Sequence, residues 1–265
     1  ADYESLEPHC FAAVTGDKKL QEIFNNGLDF YSYVAIQTEG LKGVSADKKA
    51  DNYLKKLDPV KRNKAKAYSL GVAYGMEAYA LKMTLGVDQK TAEELIRGYL
   101  DGFPQLKEWR ENSRLQVKAH GFIKNYVGRI RHIPKVHRIY KKFQDRMLDW
   151  RFRKTLEAEY GRDQVLKVYR DYRNGLNNCL NFQLQSLAAA VVNRAAVKIN
   201  RKAKELGIDA IVQAQVHDQL IINVADKDAD MFAPIVQDIM ENTTKLPGVT
   251  LKAPPEIANN WKEGH

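Results

Sequence analysis

The chain has 265 residues, 44% of them hydrophobic, which is enough for one large core or two smaller ones and excludes a disordered polymer. Its 42 Lys and Arg outweigh 33 Asp and Glu to leave a net charge of +9, which favours a polyanionic partner. Cys10 and Cys179 are too few for a disulfide scaffold or a multi-cysteine zinc site and fit a reducing compartment, and the longest run of small apolar residues, Leu187 to Val192, is far short of the ~20 residues of a membrane span.

Ala1 opens the chain without the basic and apolar start of a signal peptide, and the expectation is a chain that works within a larger whole. Lys61 to Met76 is helix-like. Asp88 to Leu100 is predicted as a helix, with Asp88 as its cap and Ala92, Leu95, Ile96 and Leu100 at helical spacing. Phe103-Pro104 interrupts it. A second helix is predicted from Gln105 to Ala119, stopping at Gly121, and Phe122 to Ile133 has a strand-turn-strand pattern around Gly128. Ser186 to Leu206, rich in Ala, reads as a helix ended by Gly207. Beyond it the period changes to two: Val212, Ala214 and Val216, then Leu220, Ile222 and Val224, flank His217-Asp218 as a hairpin with an acid at its tip. A helix from about Ala229 to Asn242 and an irregular tail through Pro254-Pro255 toward Trp261 complete an α+β pattern, with helices in the middle and a small antiparallel sheet near the ends.

Charge is unevenly spread. Between Asn112 and Gln144 there is no Asp or Glu, whereas Arg114, Lys118, Lys124, Arg129, Arg131, Lys135, Arg138, Lys141 and Lys142 supply nine cations interleaved with Phe122, Tyr126, Tyr140 and Phe143. A short charge run is usually a solvated face. One this long, with repulsion uncompensated within it, suits phosphate neutralisation with base or sugar packing and salt-sensitive binding.

No Gly-rich phosphate loop of the G-x4-G-K-[ST] or G-x-G-x-x-G kind is present, so basic side chains must do that work. Arg62, Lys66, Leu70 and Tyr74, four residues apart, form a stripe about 18 Å long that passes from two cations to an apolar residue to an aromatic one. That order suits a nucleoside triphosphate with its phosphates at Arg62 and Lys66. Gly71 and Gly75, each costing about 1 kcal/mol in a helix interior, point to close packing or a bend. Asp2 and Asp218 are each an ordinary surface or turn acid when taken singly. Brought together, they supply the hard oxygen ligands that nucleotidyl transfer requires for divalent metal.

These residues resemble a known family. Residues 1 to 7, Ala-Asp-Tyr-Glu-Ser-Leu-Glu, are similar to the first palm motif of family A DNA polymerases, the bacterial polymerase I type and its phage relatives. Arg62-x3-Lys66-x7-Tyr74-Gly75 resembles the second motif, on the fingers helix, and Gln215-Val216-His217-Asp218 the third. The order is the family's, and the resemblance continues through Gly121 to Pro134, Asn181 and Gln185, to Asn260-Trp261 and His265.

The resemblance implies a palm with a small antiparallel sheet and mostly helical fingers, the thumb being absent. Residues 1–25 would form the first part of the palm, 26–173 the fingers with a basic, aromatic insertion, and 174–265 the rest of the palm. It implies two Mg²⁺ ions, or Mn²⁺, held by Asp2, Asp218 and the backbone carbonyl of Tyr3. Arg62 and Lys66 would hold the triphosphate, with Lys66 able to protonate pyrophosphate. Glu7 would exclude a 2′-hydroxyl with help from Tyr74; His217 would lie near the primer terminus; Asn181 and Gln185 would track template and primer, with Arg129 and Arg131 also on DNA. The partners would be primer-template DNA, a deoxynucleoside triphosphate (dNTP) and an N-terminal polymerase portion carrying thumb, remaining palm and an exonuclease. The compartment would be the cytoplasm, the host's for a phage-borne member.

Departures limit what carries over. Leu70 stands where the family has Phe or Tyr, Gln219 follows His-Asp in place of Glu, Tyr31 replaces a phosphate-contacting His, and Pro8-His9 follows Glu7. Residues 136–173 are read as an added helical element that meets DNA or a partner, or elaborates the structure. Because the family motif begins at Asp2, that carboxylate is expected to sit on an unsupported terminal strand, as in a fragment or split polymerase. A single-subunit RNA polymerase, against which Glu7 argues, and a non-catalytic DNA-binding subunit are the alternatives.

Overall fold

The computed structural model describes residues 1–263, so His265, the last point of the resemblance, lies outside the described residues. In chain order come α1 (Leu6–Thr15), α2 (Lys18–Asn25), α3 (Phe30–Glu39), α4 (Leu54–Leu57), α5 (Pro59–Ala73), α6 (Ala78–Leu85), α7 (Gln89–Gly102) and α8 (Pro104–His120). Then follow β1 (Phe122–Lys124), β2 (Ile130–His132), α9 (Pro134–Phe143), a 3-10 turn at Gln144–Leu148, α10 (Trp150–Tyr160) and the long α11 (Arg162–Leu206). The chain ends through β3 (Ala210–Val216), β4 (Gln219–Val224), α12 (Asp226–Asn242) and the irregular tail. The architecture is the expected mostly helical one with small antiparallel sheets. Among the described residues no helix is long and apolar enough to cross a membrane.

Two compact units make up the chain: residues 1–25 with 184–265, and residues 26–183. In the first, β3 and β4 pair antiparallel, Val216 opposite Gln219 and Val212 opposite Ile222, with a bulge between Val212 and Ala214. Exposure alternates along β3 as a period-two pattern requires, the Ala and Val residues lying on the half-buried side. Helix α11 contributes Leu184, Leu187, Val191, Ala195 and Ile199, all buried and spaced three or four residues apart on one face.

The second unit is mostly helical, with the β1–β2 hairpin and a single bridge between Ser45 and Tyr53 in the segment between α3 and α4. Its helix starts follow local chemistry. The Asp88 carboxylate accepts from the Thr91 amide at 2.9 Å, and Asp58 accepts from Lys61 at 3.1 Å with Pro59 in the first turn of α5. Gly121 ends α8 at φ +74°, in the left-handed region that favours glycine. A core of Val117, Ile123, Val136, Met147, Val165, Tyr172, Leu176, Cys179 and Leu180 joins α8, β1, α9 and the first half of α11. Residues 136–173 are therefore helical and packed into this core. Asp145 fastens them: it pairs with Lys118 at 2.8 Å and accepts from the Tyr172 hydroxyl at 2.9 Å.

Two expectations change. The predicted helix from Ser186 is the second half of α11, which begins at Arg162 and runs through Gly175; a Cβ there would come within 2.3 Å of Val136, so the glycine admits a packed neighbour without ending the helix. Repulsion in the basic stretch is also partly offset, because acids outside it fold back: Lys118 pairs with Asp145, and Lys135 with Asp171 at 3.1 Å.

Candidate active site

In the unit formed by residues 1–25 and 184–265, the amino terminus lies against β4 through one isolated antiparallel bridge. The Ala1 amino group donates to the Leu220 carbonyl at 3.1 Å, the Leu220 amide donates to Ala1 at 2.9 Å, and Asp2 lies opposite Gln219 in an antiparallel bridge. The chain continues into Tyr3, buried at 2% exposure, whose hydroxyl donates to the Met240 carbonyl at 2.7 Å, and the Glu4 amide donates to the Lys252 carbonyl at 2.9 Å. Burial pushes the Tyr3 hydroxyl pKa far up, and it stays a neutral donor. The expectation of an unsupported Asp2 is therefore corrected: bonded residues hold it on both sides.

Opposite residues in an antiparallel pair have Cα atoms about 5 Å apart, and Asp218 immediately precedes Gln219. The backbones carrying the two acids are thus roughly 6 Å apart. Asp2 is exposed and Asp218 half-buried. His217 and Asp218 form the two-residue turn between β3 and β4, and His217 has φ +55°, a conformation in which His is several-fold enriched over most residues. Gln219, only 8% exposed, accepts from the Trp261 indole at 3.0 Å, so the side chain that replaces the family's Glu is engaged in the tail. Glu7 stands half-buried in the first turn of α1, and Gln185 is exposed on α11. Among the described residues no three His, Cys, Asp or Glu side chains form a metal-ligand cluster. The donor set anticipated here is two carboxylates and a main-chain carbonyl.

In the unit of residues 26–183, the stripe lies on α5, with Tyr74 directly after its last turn. Arg62 is held by a residue that motif spacing did not single out. Its Nε and Nη2 donate to the Asp29 carboxylate at 2.7 and 3.0 Å. Tyr53 adds a hydrogen bond to that carboxylate at 3.1 Å, and Ser32 adds another. Burial opposes the ionised Asp29 carboxyl, but the hydrogen bonds and charge of Arg62, with Ser32 and Tyr53, outweigh it and hold the pKa below the usual carboxylate range. The same bonds raise the Arg62 pKa. Tyr31 lies under both cations, its ring centre 5.2 Å from the Arg62 guanidinium and 5.9 Å from the Lys66 ammonium. Lys66 is exposed and Leu70 half-buried.

The two glycines have separate causes. A Cβ on Gly71 would strike the Met76 side chain at 2.6 Å; Gly75 has φ +100°, and a Cβ there would lie 2.3 Å from Asn177 Oδ1, which also accepts from Arg114 at 3.0 Å. Both close packing and a break in the helix are therefore realised. Arg129 and Arg131 are exposed on the β1–β2 hairpin, Arg131 lying 5.9 Å from the Phe182 ring, and Asn181 Oδ1 is buried without a hydrogen-bond partner among the described residues. What motif spacing missed is Asp29 with Ser32 and Tyr53 on the Arg62 side, and Trp261 on the Gln219 side. Proximity of Asp29 to Tyr31 was the one local signal.

Comparison with known structures gives the same fold. The polymerase domain of Pol1 from M. smegmatis, solved with DNA primer-template and dNTP, matches with a TM-score of 0.74 and 24% identity over 95% of this chain and 37% of that one. The architecture is therefore that of a polymerase domain. Thermostable DNA polymerase I of Thermus filiformis is 29% identical over 99% of this chain, and DNA polymerase I of Pseudomonas aeruginosa is 27% identical over 100% of this chain. The chain spans about a quarter of the length of these curated relatives. The family model described as DNA polymerase family A matches residues 1–263, and the chain belongs to that family.

Proposed function

We propose that the chain provides the fingers and the carboxylate-bearing part of the palm of a template-directed DNA polymerase, which adds deoxynucleotides to a primer 3′-hydroxyl. Taking the compact units as the boundary in place of the expected 26–173 and 174–265, residues 26–183 would be the fingers and residues 1–25 and 184–265 the palm. The observation that supports this best is the main-chain bridge from Asp2 to Gln219, which gathers acids from opposite ends of the sequence. Their hard oxygens fit divalent metal. Asp2, Asp218 and the Tyr3 carbonyl would hold two Mg²⁺ ions, which supply activation of the 3′-hydroxyl and charge neutralisation at the leaving phosphates.

The chain's own residues have distinct tasks in this reading. Lys66, exposed on α5, meets the triphosphate and can give a proton to departing pyrophosphate. Arg62, oriented by Asp29, presents its remaining N–H groups to the same phosphates. Glu7 excludes the 2′-hydroxyl, while His217, Asn181, Gln185, Arg129 and Arg131 contact primer and template. Because the chain corresponds to about a quarter of its relatives, extension is proposed to require a further polymerase portion.

The test is primer extension by the complete polymerase carrying Asp2→Ala or Asp218→Ala. Each variant is expected to lose at least about a hundredfold in rate while still binding primer-template. Extension at the parental rate by either variant would remove the metal assignment.

A further inference from the structure

A cavity of about 370 Å³ lies in the unit of residues 26–183, where α7 and α8 meet the start of α6. Met76, Ile96 and Leu100 give it an apolar wall; Arg97, Lys107 and Arg110 line the rest. Arg110 is 9% exposed, its Nε is sealed from solvent with no acceptor, and among the described residues it forms no hydrogen bond or ion pair. None of the acids lining the cavity bonds to it: Glu77 pairs with Arg173 at 2.9 Å and, like Glu111, favours the Arg110 charge only through space, Glu93 accepts from the Gln89 side-chain amide at 2.8 Å, and Asp101 is exposed and makes no pair with it. Burial, with the neighbouring Arg114 charge, pushes the Arg110 guanidinium down to about 10, so it remains protonated at neutral pH. An unpaired buried charge is strongly unfavourable, which makes an external counter-ion the natural complement.

We propose that this cavity is a phosphate-ester site in which Arg110, with Arg97 and Lys107, receives the phosphate while the organic part of the ester rests on Met76, Ile96 and Leu100. A guanidinium fork matches two phosphate oxygens. The cavity is larger than a phosphate alone, and its apolar side suits the sugar and base of one nucleotide unit. The ester is either a free nucleotide or one link of a nucleic acid strand; both present the same group. None of the three cations belongs to the α5 stripe or to the carboxylate strand, so the inference stands independently of the polymerase reading.

Thermal melting of the full chain at constant ionic strength tests it, with sodium chloride exchanged for inorganic phosphate, thymidine 5′-monophosphate, or a short single-stranded thymidine oligonucleotide. At ten times the half-saturating concentration the parental chain is expected to melt about 3 °C higher. Arg110→Met should lose the part of each shift that this cavity contributes, keeping only what the α5 cations and the hairpin arginines give, yet melt at or above the parental temperature in anion-free buffer, since it removes an unpaired charge. Lys107→Ala should raise the half-saturating concentration severalfold without changing the anion-free melt. Shifts with phosphate and the monophosphate that Arg110→Met diminishes assign a free ester; an oligonucleotide shift that Arg110→Met diminishes, and that is abolished when the linkages are uncharged methylphosphonates, assigns a strand. No shift from any probe, an equal shift in Arg110→Met, or an Arg110→Met chain that melts several degrees lower or fails to fold would overturn the proposal, since Arg110 would then serve a structural role.

Discussion

Replacing Asp29 by Asn tests the most concentrated polar cluster in the structure. The carboxylate accepts two hydrogen bonds from Arg62, at 2.7 and 3.0 Å, one from Tyr53 at 3.1 Å and one from Ser32. Asn preserves shape but turns one acceptor into a donor and leaves Arg62 without a counter-charge. Hydrogen bonds to charged groups contribute about 1.5–3 kcal/mol each, and breaking a buried pair costs about 3–5 kcal/mol. Residual solvent at Arg62, whose side chain is 15% exposed, together with the oxygen that Asn keeps, brings the expected loss to about 3 kcal/mol. Urea unfolding in a Trp261→Phe background isolates the effect, because Trp109 and Trp150 then report only on residues 26–183. The pH dependence carries a defined sign. The folded pKa of Asp29 lies below the unfolded value of about 3.9, so the parental advantage is complete above that pH and is lost as pH falls through the folded pKa. A difference under about 0.5 kcal/mol at pH 7, or one that stays constant down to the lowest pH at which both chains fold, would refute this account.

The paired glycines should respond differently to Ala. Gly75→Ala combines a positive φ with a clash against the hydrogen-bonded Asn177 and is expected to cost about 2–4 kcal/mol in urea unfolding, whereas Gly71→Ala meets only flexible Met76 and should stay within about 1 kcal/mol of the parent through gained helix propensity. Equal losses would refute the distinction. Burial pushes both thiols, Cys10 and Cys179, up to about 12, so neither offers appreciable thiolate at pH 8. A disulfide reagent should therefore label them only as urea unfolds the chain, and prompt stoichiometric labelling of the native protein would contradict their burial.

How much of the fold the sequence disclosed depends on the range of the interaction involved. Asp88, Pro104 and Gly121 act within one turn of their own helix, and the corresponding ends appeared within about two residues of expectation. The β3–β4 hairpin was legible because alternation and a two-residue turn are also local. Gly175 shows where this stops. Its role depends on Val136 from another helix, and no pattern within α11 distinguishes a glycine that accommodates a neighbour from one that weakens the helix. The basic stretch is similar, since its compensating acids, Asp145 and Asp171, approach only through tertiary folding.

The site divides along the same line. Motif spacing located the stripe on α5 and the turn acid Asp218, because spacing on a regular element is geometry. It did not reveal that Asp29, 33 residues before Arg62, takes up two of that guanidinium's donors. The difference alters the chemistry expected of α5. Read from sequence, Arg62 and Lys66 share the phosphates and differ only in that Lys66 can also protonate pyrophosphate. In the folded unit Arg62 is a fixed edge, backed by a carboxylate that reduces its net field, and Lys66 is an exposed ammonium with no carboxylate bonded to it, steadied only by the Tyr31 ring at 5.9 Å. Orientation of a phosphate should accordingly depend chiefly on Arg62, and charge neutralisation on Lys66. Loss of Asp29 would remove the orientation while strengthening the unspecific attraction, so tighter phosphate binding and slower reaction can arise from one substitution.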